Sequence, residues 1–229
     1  MCLILLGWQV RDDAPLAVAA NREEFHARPT ARAGFWKDRP AILAGRDLEA
    51  GGTWMGVSRG GRFAAVTNVR GGRDPAAVES RGALVSRFLE GDGTAADYVA
   101  ALQPRAAGYS GFNLLACDGR ELWWLSNRAG APRRLAAGVY GLGNDLLDSD
   151  DGLVVDGKRR LGEGLGRSPT VEGLMSVLVP ARVVAPVYGT RCSTALVRRA
   201  DGRVAYAERA FDPAGGEGET VRFEFPLAA

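Results

Sequence analysis

The order of apolar runs predicts an α+β fold: two antiparallel sheets with helices in separate layers. Three observations carry this expectation. Strand-like runs come in pairs joined by short turns, which favours antiparallel pairing. Helical spacing occurs in two blocks and does not alternate with each strand. The chain has 229 residues and 46% hydrophobic content, enough for a sizeable core. Two sheets packed face to face with helices outside satisfy this order. A single domain over residues 1–229 is expected, since there is no internal repeat or low-complexity linker. Gly215-Gly216-Glu217-Gly218 reads as a loop.

Residues 2–10 and 16–20 read as strands joined by the polar turn Arg11-Asp12-Asp13-Ala14-Pro15. An irregular polar stretch is expected from Asn21 to Pro40. Gly51-Gly52 opens a strand over 53–57, and Ser58-Arg59-Gly60-Gly61 turns it into a second over 63–67. A polar loop covers 71–79. Leu84, Val85, Phe88 and Leu89 recur at helical spacing, giving a helix from residue 80 or 81 to 89. Thr94 caps a second helix over 95–102, with Asp97 at its third position. Strands return at 112–117, 121–126 and 137–142, the first pair around Asp118-Gly119. Helices are expected at 151–165 and 170–178, the first weakened by Gly152, Gly157 and Gly162. Strands over 190–198, 204–211 and 220–225 close the chain.

Lys and Arg number 29 against 27 Asp and Glu, a net charge of +2. That balance does not argue for nucleic acid. Cys2, Cys117 and Cys192 are odd in number and far apart, so no disulfide framework is expected, which points to a reducing compartment. His26 is the only histidine, which excludes a multi-histidine metal site. No cofactor is expected. No run approaches the roughly 20 apolar residues of a membrane helix. The first apolar run has no basic start, so no signal peptide is expected and the location is read as cytoplasmic.

The candidate chemistry begins at Cys2. Removal of Met1 would put a thiol and a free α-amine on one residue. The thiol is the nucleophile, and the amine, with an ordinary pKa of about 7.7–8.0, is its base. Asn21, Arg22, Glu23 and Glu24 follow an apolar strand directly, as a site rim does. Arg22 has the donors and the permanent charge to hold a thiolate or a substrate carboxylate. Glu23 or Glu24 would accept from the α-amine or orient Arg22. Asn68 and Asn144 stand at strand exits, suited to aim an amide N–H at an oxyanion or to cap a turn. Arg191, ahead of a late strand, would enter the cleft of Arg22 or lie on the surface. Alternation predicts that Cys192 points away from Arg191 and that Cys117 is an inert core thiol. There is no nucleophile elbow, phosphate loop or dinucleotide fingerprint.

Eight short motifs then occur in one order: Met1-Cys2; Ala20-Asn21-Arg22-Glu23-Glu24-Phe25; Arg28-Pro29; Gly51-Gly52-Thr53-Trp54-Met55-Gly56; Thr67-Asn68; Gly111-Phe112-Asn113-Leu114; Tyr140-Gly141-Leu142-Gly143-Asn144; and Tyr188-Gly189-Thr190-Arg191. In this order they resemble the NRDE family, which includes the transport and Golgi organization protein 2 homologues. The family pattern has aspartate where Glu23 stands. The family in turn is similar to cysteine-type N-terminal nucleophile hydrolases, such as bile salt hydrolase and penicillin V acylase. That resemblance implies a four-layer αββα sandwich, with Cys2 as nucleophile, Arg22 assisting it, Asn68 and Asn144 as oxyanion and amine contacts, and Arg191 beside them. Asn21, Glu23, Glu24 and Trp54 are the expected binding residues. The implied activity is hydrolysis of a C–N amide bond in a small acylated substrate. The alternative is non-catalytic binding and trafficking of haem, an acyl lipid or acyl-coenzyme A.

Overall fold

The computed structural model describes residues 2–71, 74–77 and 79–228. Residues 72, 73 and 78 of the expected 71–79 loop lie outside the described residues, as does Met1. The strands are β1 (Leu3–Trp8), β2 (Leu16–Phe25), β3 (Thr30–Phe35), β4 (Ile42–Asp47), β5 (Met55–Ser58), β6 (Phe63–Asn68), β7 (Phe112–Cys117), β8 (Leu122–Ser126), β9 (Arg133–Leu135), β10 (Gly138–Leu142), β11 (Tyr188–Arg198), β12 (Arg203–Phe211) and β13 (Glu217–Pro226). The α-helices are α1 (Gly82–Glu90), α2 (Ala95–Leu102), α3 (Gly152–Gly164) and α4 (Val171–Leu178). The expected α+β class, with antiparallel sheets and helices in blocks, is the one observed. Among the described residues no helix is long and apolar enough to cross a membrane.

The chain forms two compact units. The first comprises residues 2–28, 136–143 and 147–227. Its six-stranded sheet has the order β10-β1-β2-β11-β12-β13. Strand β1 is buried at all positions, which is why it reads as an unbroken apolar run. One face carries Leu3, Leu5, Ala17, Ala19, Ala195 and Val197, and α3 and α4 cover it with Val154, Leu161, Leu174 and Leu178. Each such leucine contributes roughly 1.5–3 kcal/mol by leaving water. Small residues on the strands let the helices come close. Gly157 in α3 does the same, since a Cβ there would stand 2.8 Å from the Leu5 side chain. The glycine that weakens the helix locally is a packing contact.

The second unit comprises residues 29–135, 144–146 and 228. Its seven strands run in chain order, β3 to β9. Helices α1 and α2 cover one face, where Leu84, Val85, Phe88, Leu89 and Val99 meet Ile42, Ala44, Ala64, Leu114 and Ala116. Thr94 caps α2 as expected, its hydroxyl accepting the Asp97 amide at 3.0 Å. Gly51 has φ 75°, the left-handed region that favours glycine. Gly52 lies against the start of α1: a Cβ there would fall 2.5 Å from the Gly82 carbonyl carbon. The Gly51-Gly52-Thr53 motif is therefore a close approach of two backbones.

The expected irregular stretch over 21–40 is a correction. Strand β2 continues through Phe25, and β3 follows at Thr30–Phe35. The polar residues Asn21 to Glu23 read as loop, but they are buried in the strand because β11 supplies polar partners opposite them. Strands β4 and β9 are also additions. Strand β4 is short, and its apolar part is only Ile42-Leu43-Ala44; β9 is three residues long.

Gly52→Ala should destabilise the protein by more than about 2 kcal/mol, because backbone atoms cannot give way. Gly162→Ala, where a Cβ would meet nothing within 4 Å, should stabilise it by up to about 1 kcal/mol through helix propensity. Urea unfolding of the two variants tests the pair; equal effects would remove the close-approach argument.

Candidate active site

The site is built on the far end of β2. Alternation sends Asn21 and Glu23 to the helix-covered face and Arg22 to the other. Asn21 is buried; its amide donates to the Leu178 carbonyl at 3.3 Å and its oxygen accepts from Ser193 at 2.6 Å. It ties β2 to the end of α4, and both ends of its side chain are engaged. Arg22 is buried, with Nη2 3.6 Å from the Glu24 carboxylate at the rim. Glu24 also accepts the Phe25 amide at 2.9 Å. The open choice between the two glutamates as the partner of Arg22 therefore falls to Glu24.

Glu23 is buried for a different purpose. Its Oε1 accepts from the Thr190 hydroxyl at 3.0 Å, while Oε2 is buried with no hydrogen-bond partner among the described residues. Burial pushes its carboxyl up to about 7, against the opposing pull of the Thr190 bond. The Glu23 carbonyl accepts two donors, the Cys2 thiol at 3.5 Å and the Tyr188 hydroxyl at 3.2 Å.

Cys2 precedes Leu3, which pairs with Asn21, so Cys2 falls beside Arg22. The thiol is half-buried. Burial and then the Glu23 carboxylate push it up to about 11 from an ordinary 9.0, and Arg22 only partly offsets them. The guanidinium of Arg22 thus does not make the thiolate: desolvation outweighs it. Cys192 is buried and pushed well above 9.0 by burial and Glu208, and Cys117 is fully buried.

Arg191 occupies a bulge. The register shifts between Thr190 and Cys192, so Arg191 has no partner on β2, and strict alternation does not hold there. Its Nη1 donates to the carbonyls of Phe25, His26 and Arg28 at 2.9, 3.1 and 3.1 Å. Arg191 therefore fastens the turn that follows β2. Burial and the Arg22 charge lower its pKa. Gly189 and Thr190 bind the 183–187 loop: a Cβ on Gly189 would sit 2.7 Å from the Val183 carbonyl, and the Thr190 amide donates to that carbonyl at 2.8 Å. His26 holds the same loop, with Nε2 3.0 Å from the Ala185 carbonyl. Tyr188, the first residue of the Tyr188-Gly189-Thr190-Arg191 motif, stands against Phe25 edge-on at 5.3 Å. Its hydroxyl shares the carbonyl that takes the thiol.

Trp54, Asn68 and Asn144 belong to the second unit. Trp54 lays its ring on Gly45, where a Cβ would fall 2.2 Å from the ring. Asn68 is exposed at the end of β6, and its carbonyl accepts the Asn144 amide at 2.7 Å. Asn113 supports the same loop by donating to Thr67 at 3.1 Å and to the Asp145 carbonyl at 2.8 Å. Its signal in the sequence is a single asparagine inside the otherwise apolar strand Phe112–Cys117. Among the described residues no group of His, Cys, Asp and Glu is placed to hold a metal ion.

The Glu23 shift has a defined sign. The folded protein holds a proton on Glu23 between an ordinary 4.5 and about 7, which the unfolded chain has released. Stability conferred by this residue therefore falls as pH rises through that window and stays lower above it. Glu23→Gln removes the penalty and should gain stability over the parent between pH 4.5 and 7, by on the order of 1–3 kcal/mol. Denaturant midpoints at pH 4.5 and 8 test this; a difference that does not change with pH would contradict the assigned burial of the charge.

Comparison with known proteins gives the chain a family and a fold. The family described as Transport and Golgi organisation 2 matches residues 1–179. The chain is 33% identical to the bovine Transport and Golgi organization protein 2 homolog over 276 residues, covering 99% of each chain. It is 31% identical to the human homolog over 274 residues, again covering 99% of each. Two solved structures share the fold. A Caenorhabditis elegans N-acylethanolamine-hydrolyzing acid amidase ortholog superposes with a TM-score of 0.58 at 14% identity, over 86% of this chain and 92% of that one. A C2A mutant of the conjugated bile acid hydrolase from Clostridium perfringens gives 0.58 at 8% identity, over 99% and 98%. The fold is thus that of N-terminal nucleophile hydrolases, and by its sequence the chain belongs to the Transport and Golgi organisation 2 family.

Proposed function

We propose that this protein is an N-terminal-cysteine hydrolase of a C–N amide bond in a small acylated substrate. The observation that carries the reading is the setting of Cys2: a partly buried cysteine beside a buried guanidinium and a buried carboxylate whose second oxygen has no hydrogen-bond partner among the described residues. A thiol at about 11 is ionised to only about 10⁻⁴ at pH 7, so it needs a base. Removal of Met1 supplies one in the α-amine of Cys2. Glu23 is the acceptor that holds the resulting ammonium.

The steps follow. The thiol proton passes to the α-amine as Sγ bonds to the substrate carbonyl carbon. The tetrahedral intermediate collapses, the C–N bond breaks, and the ammonium gives its proton to the leaving amine. Water adds to the thioester while the amine takes its proton. The C–S bond then breaks, the acid leaves, and the sulfur regains its proton. Arg22 supplies the fixed positive charge near the developing anions.

A second reading is binding and carriage of an acylated ligand without turnover. The high thiol pKa favours it in any chain that keeps Met1. An acylated ligand fits better than haem: His26 is engaged with Ala185, and Cys117 and Cys192 are buried.

Incubation with acyl amides should leave a thioester adduct on Cys2, seen by intact mass. Cys2→Ser should lower turnover by at least about 10²-fold with ligand affinity kept, because a hydroxyl is the poorer nucleophile. Unchanged turnover in that variant would rule out the cysteine mechanism; no adduct with any amide, but retained binding, would leave the carrier.

Alkylation should favour Cys2 over Cys117 and Cys192, with the form lacking Met1 reacting faster near pH 7 than the form keeping it. Peptide mapping reads both comparisons. Equal rates in the two forms would show that the α-amine is not the base.

A further inference from the structure

One backbone oxygen beside the thiol takes two side-chain donors. The Glu23 carbonyl accepts the Cys2 thiol at 3.5 Å and the Tyr188 hydroxyl at 3.2 Å. The two donors cannot be further apart than these two bonds laid end to end. Tyr188 opens β11 opposite Phe25, and the edge-on contact of the two rings at 5.3 Å fixes where its hydroxyl falls. Thr190, two residues on, exchanges hydrogen bonds with Val183 in both directions at 2.8 Å, so the tyrosine stands on a well-held stretch of strand. Burial, and after it the negative charge of Cys2, Glu23 and Glu24, push the Tyr188 hydroxyl above its ordinary 10.0. It therefore keeps its proton and stays a donor through the neutral range. This hydroxyl takes no part in the proton transfers of the proposed reaction.

We infer that Tyr188 is a positioning residue for Cys2: its hydroxyl occupies the Glu23 carbonyl and so frees the thiol to give up its proton. A thiol bonded to a carbonyl directs its proton at that oxygen and away from the α-amine. Two donors on one oxygen share its electron density, so each is held less firmly than it would be alone. Once the proton has passed to the amine, the sulfur is an anion facing a carbonyl oxygen. The positive end of the Tyr188 O–H dipole lies at that oxygen and offsets the repulsion. The carbonyl also keeps a side-chain donor when the thiol proton leaves it. Each effect acts where the thiolate forms and not where substrate binds. The charged groups around the pair are Arg22, Glu23 and Glu24 on β2 and the Cys2 amine once Met1 is removed. His26 and Arg191 are engaged with backbone carbonyls. Exchange of the tyrosine for phenylalanine leaves all of these groups in place.

The inference rests on Cys2 being the nucleophile of the proposed function, and its test separates the two. Tyr188→Phe keeps the ring against Phe25 and removes only the hydroxyl, whereas Tyr188→Leu removes both. On protein lacking Met1, the pH midpoint of Cys2 alkylation by iodoacetamide should rise by about half a unit to one unit in Tyr188→Phe. The value of kcat on an acyl amide should fall about 3- to 10-fold, with KM changed less than about twofold. Tyr188→Leu should raise the midpoint at least as far. If Tyr188→Phe matches the parent in midpoint and kcat while Tyr188→Leu does not, the ring is a packing element and the positioning role is overturned. A midpoint that falls, or a loss confined to KM, overturns it as well. If Tyr188→Phe does not fold, the hydroxyl is structural and the inference fails. A raised midpoint in a protein that turns over no amide would uphold the role of Tyr188 and sink the hydrolase reading. No labelling of Cys2 in the parent would sink both.

Discussion

The antiparallel pairing of β2 with β11 is the constraint on which the first unit depends. It runs from Tyr188 opposite Phe25 to Arg198 opposite Leu16. Its apolar half is ordinary core, with Val18, Ala19, Ala195 and Leu196 fully buried. Its polar half is unusual, because Asn21, Arg22 and Glu23 are buried without leaving the strand. Unpaired polar groups there would each cost on the order of 1–3 kcal/mol. Ser193 and Thr190 on β11 meet Asn21 and Glu23, which removes most of that penalty. The strand can therefore carry its functional end into the protein interior instead of terminating in solvent.

This explains what the sequence made legible and what it hid. Strands whose two faces are both apolar, β1 and β7, were readable from a continuous run. The helices α1 and α2 were readable because their apolar positions share one stripe and Thr94 marks a start. The continuation of β2 was not, because Asn21-Arg22-Glu23-Glu24 has the composition of a loop, and the residues that satisfy it lie more than 160 positions away. The neighbourhood of Cys2 with Arg22 followed from the strand-end positions of both. The role of Arg191 did not, since a one-residue bulge is invisible in alternation and re-aims the side chain toward the turn carbonyls.

The bulge also fixes the division of charge around Cys2. It allows Glu23 to pair with Thr190 and Arg22 with Cys192, so adjacent residues present a buried carboxylate and a buried guanidinium to opposite faces. A thiol beside this junction feels both, and it feels desolvation more than either. The arginine alone does not make the thiolate. Its effect is to reduce a burial penalty that would otherwise stand unopposed. A base carried on the same residue suits this setting, because proton transfer within one residue needs no ionised thiol at rest.

The glutamate in place of aspartate at position 23 gains meaning from the same geometry. One carboxylate oxygen is fixed by Thr190, which itself accepts the Val183 amide at 2.8 Å. The extra methylene lets the carboxyl reach Thr190 on the neighbouring strand while the residue's own carbonyl stays with Cys2 and Tyr188. Thr190 thus connects the carboxyl to the 183–187 loop, and Glu23 connects it to the thiol. A shorter side chain would have to give up the Thr190 contact or draw β2 toward β11. The longer side chain is compatible with the site because its anchoring partner sits across the strand pair and not along the strand.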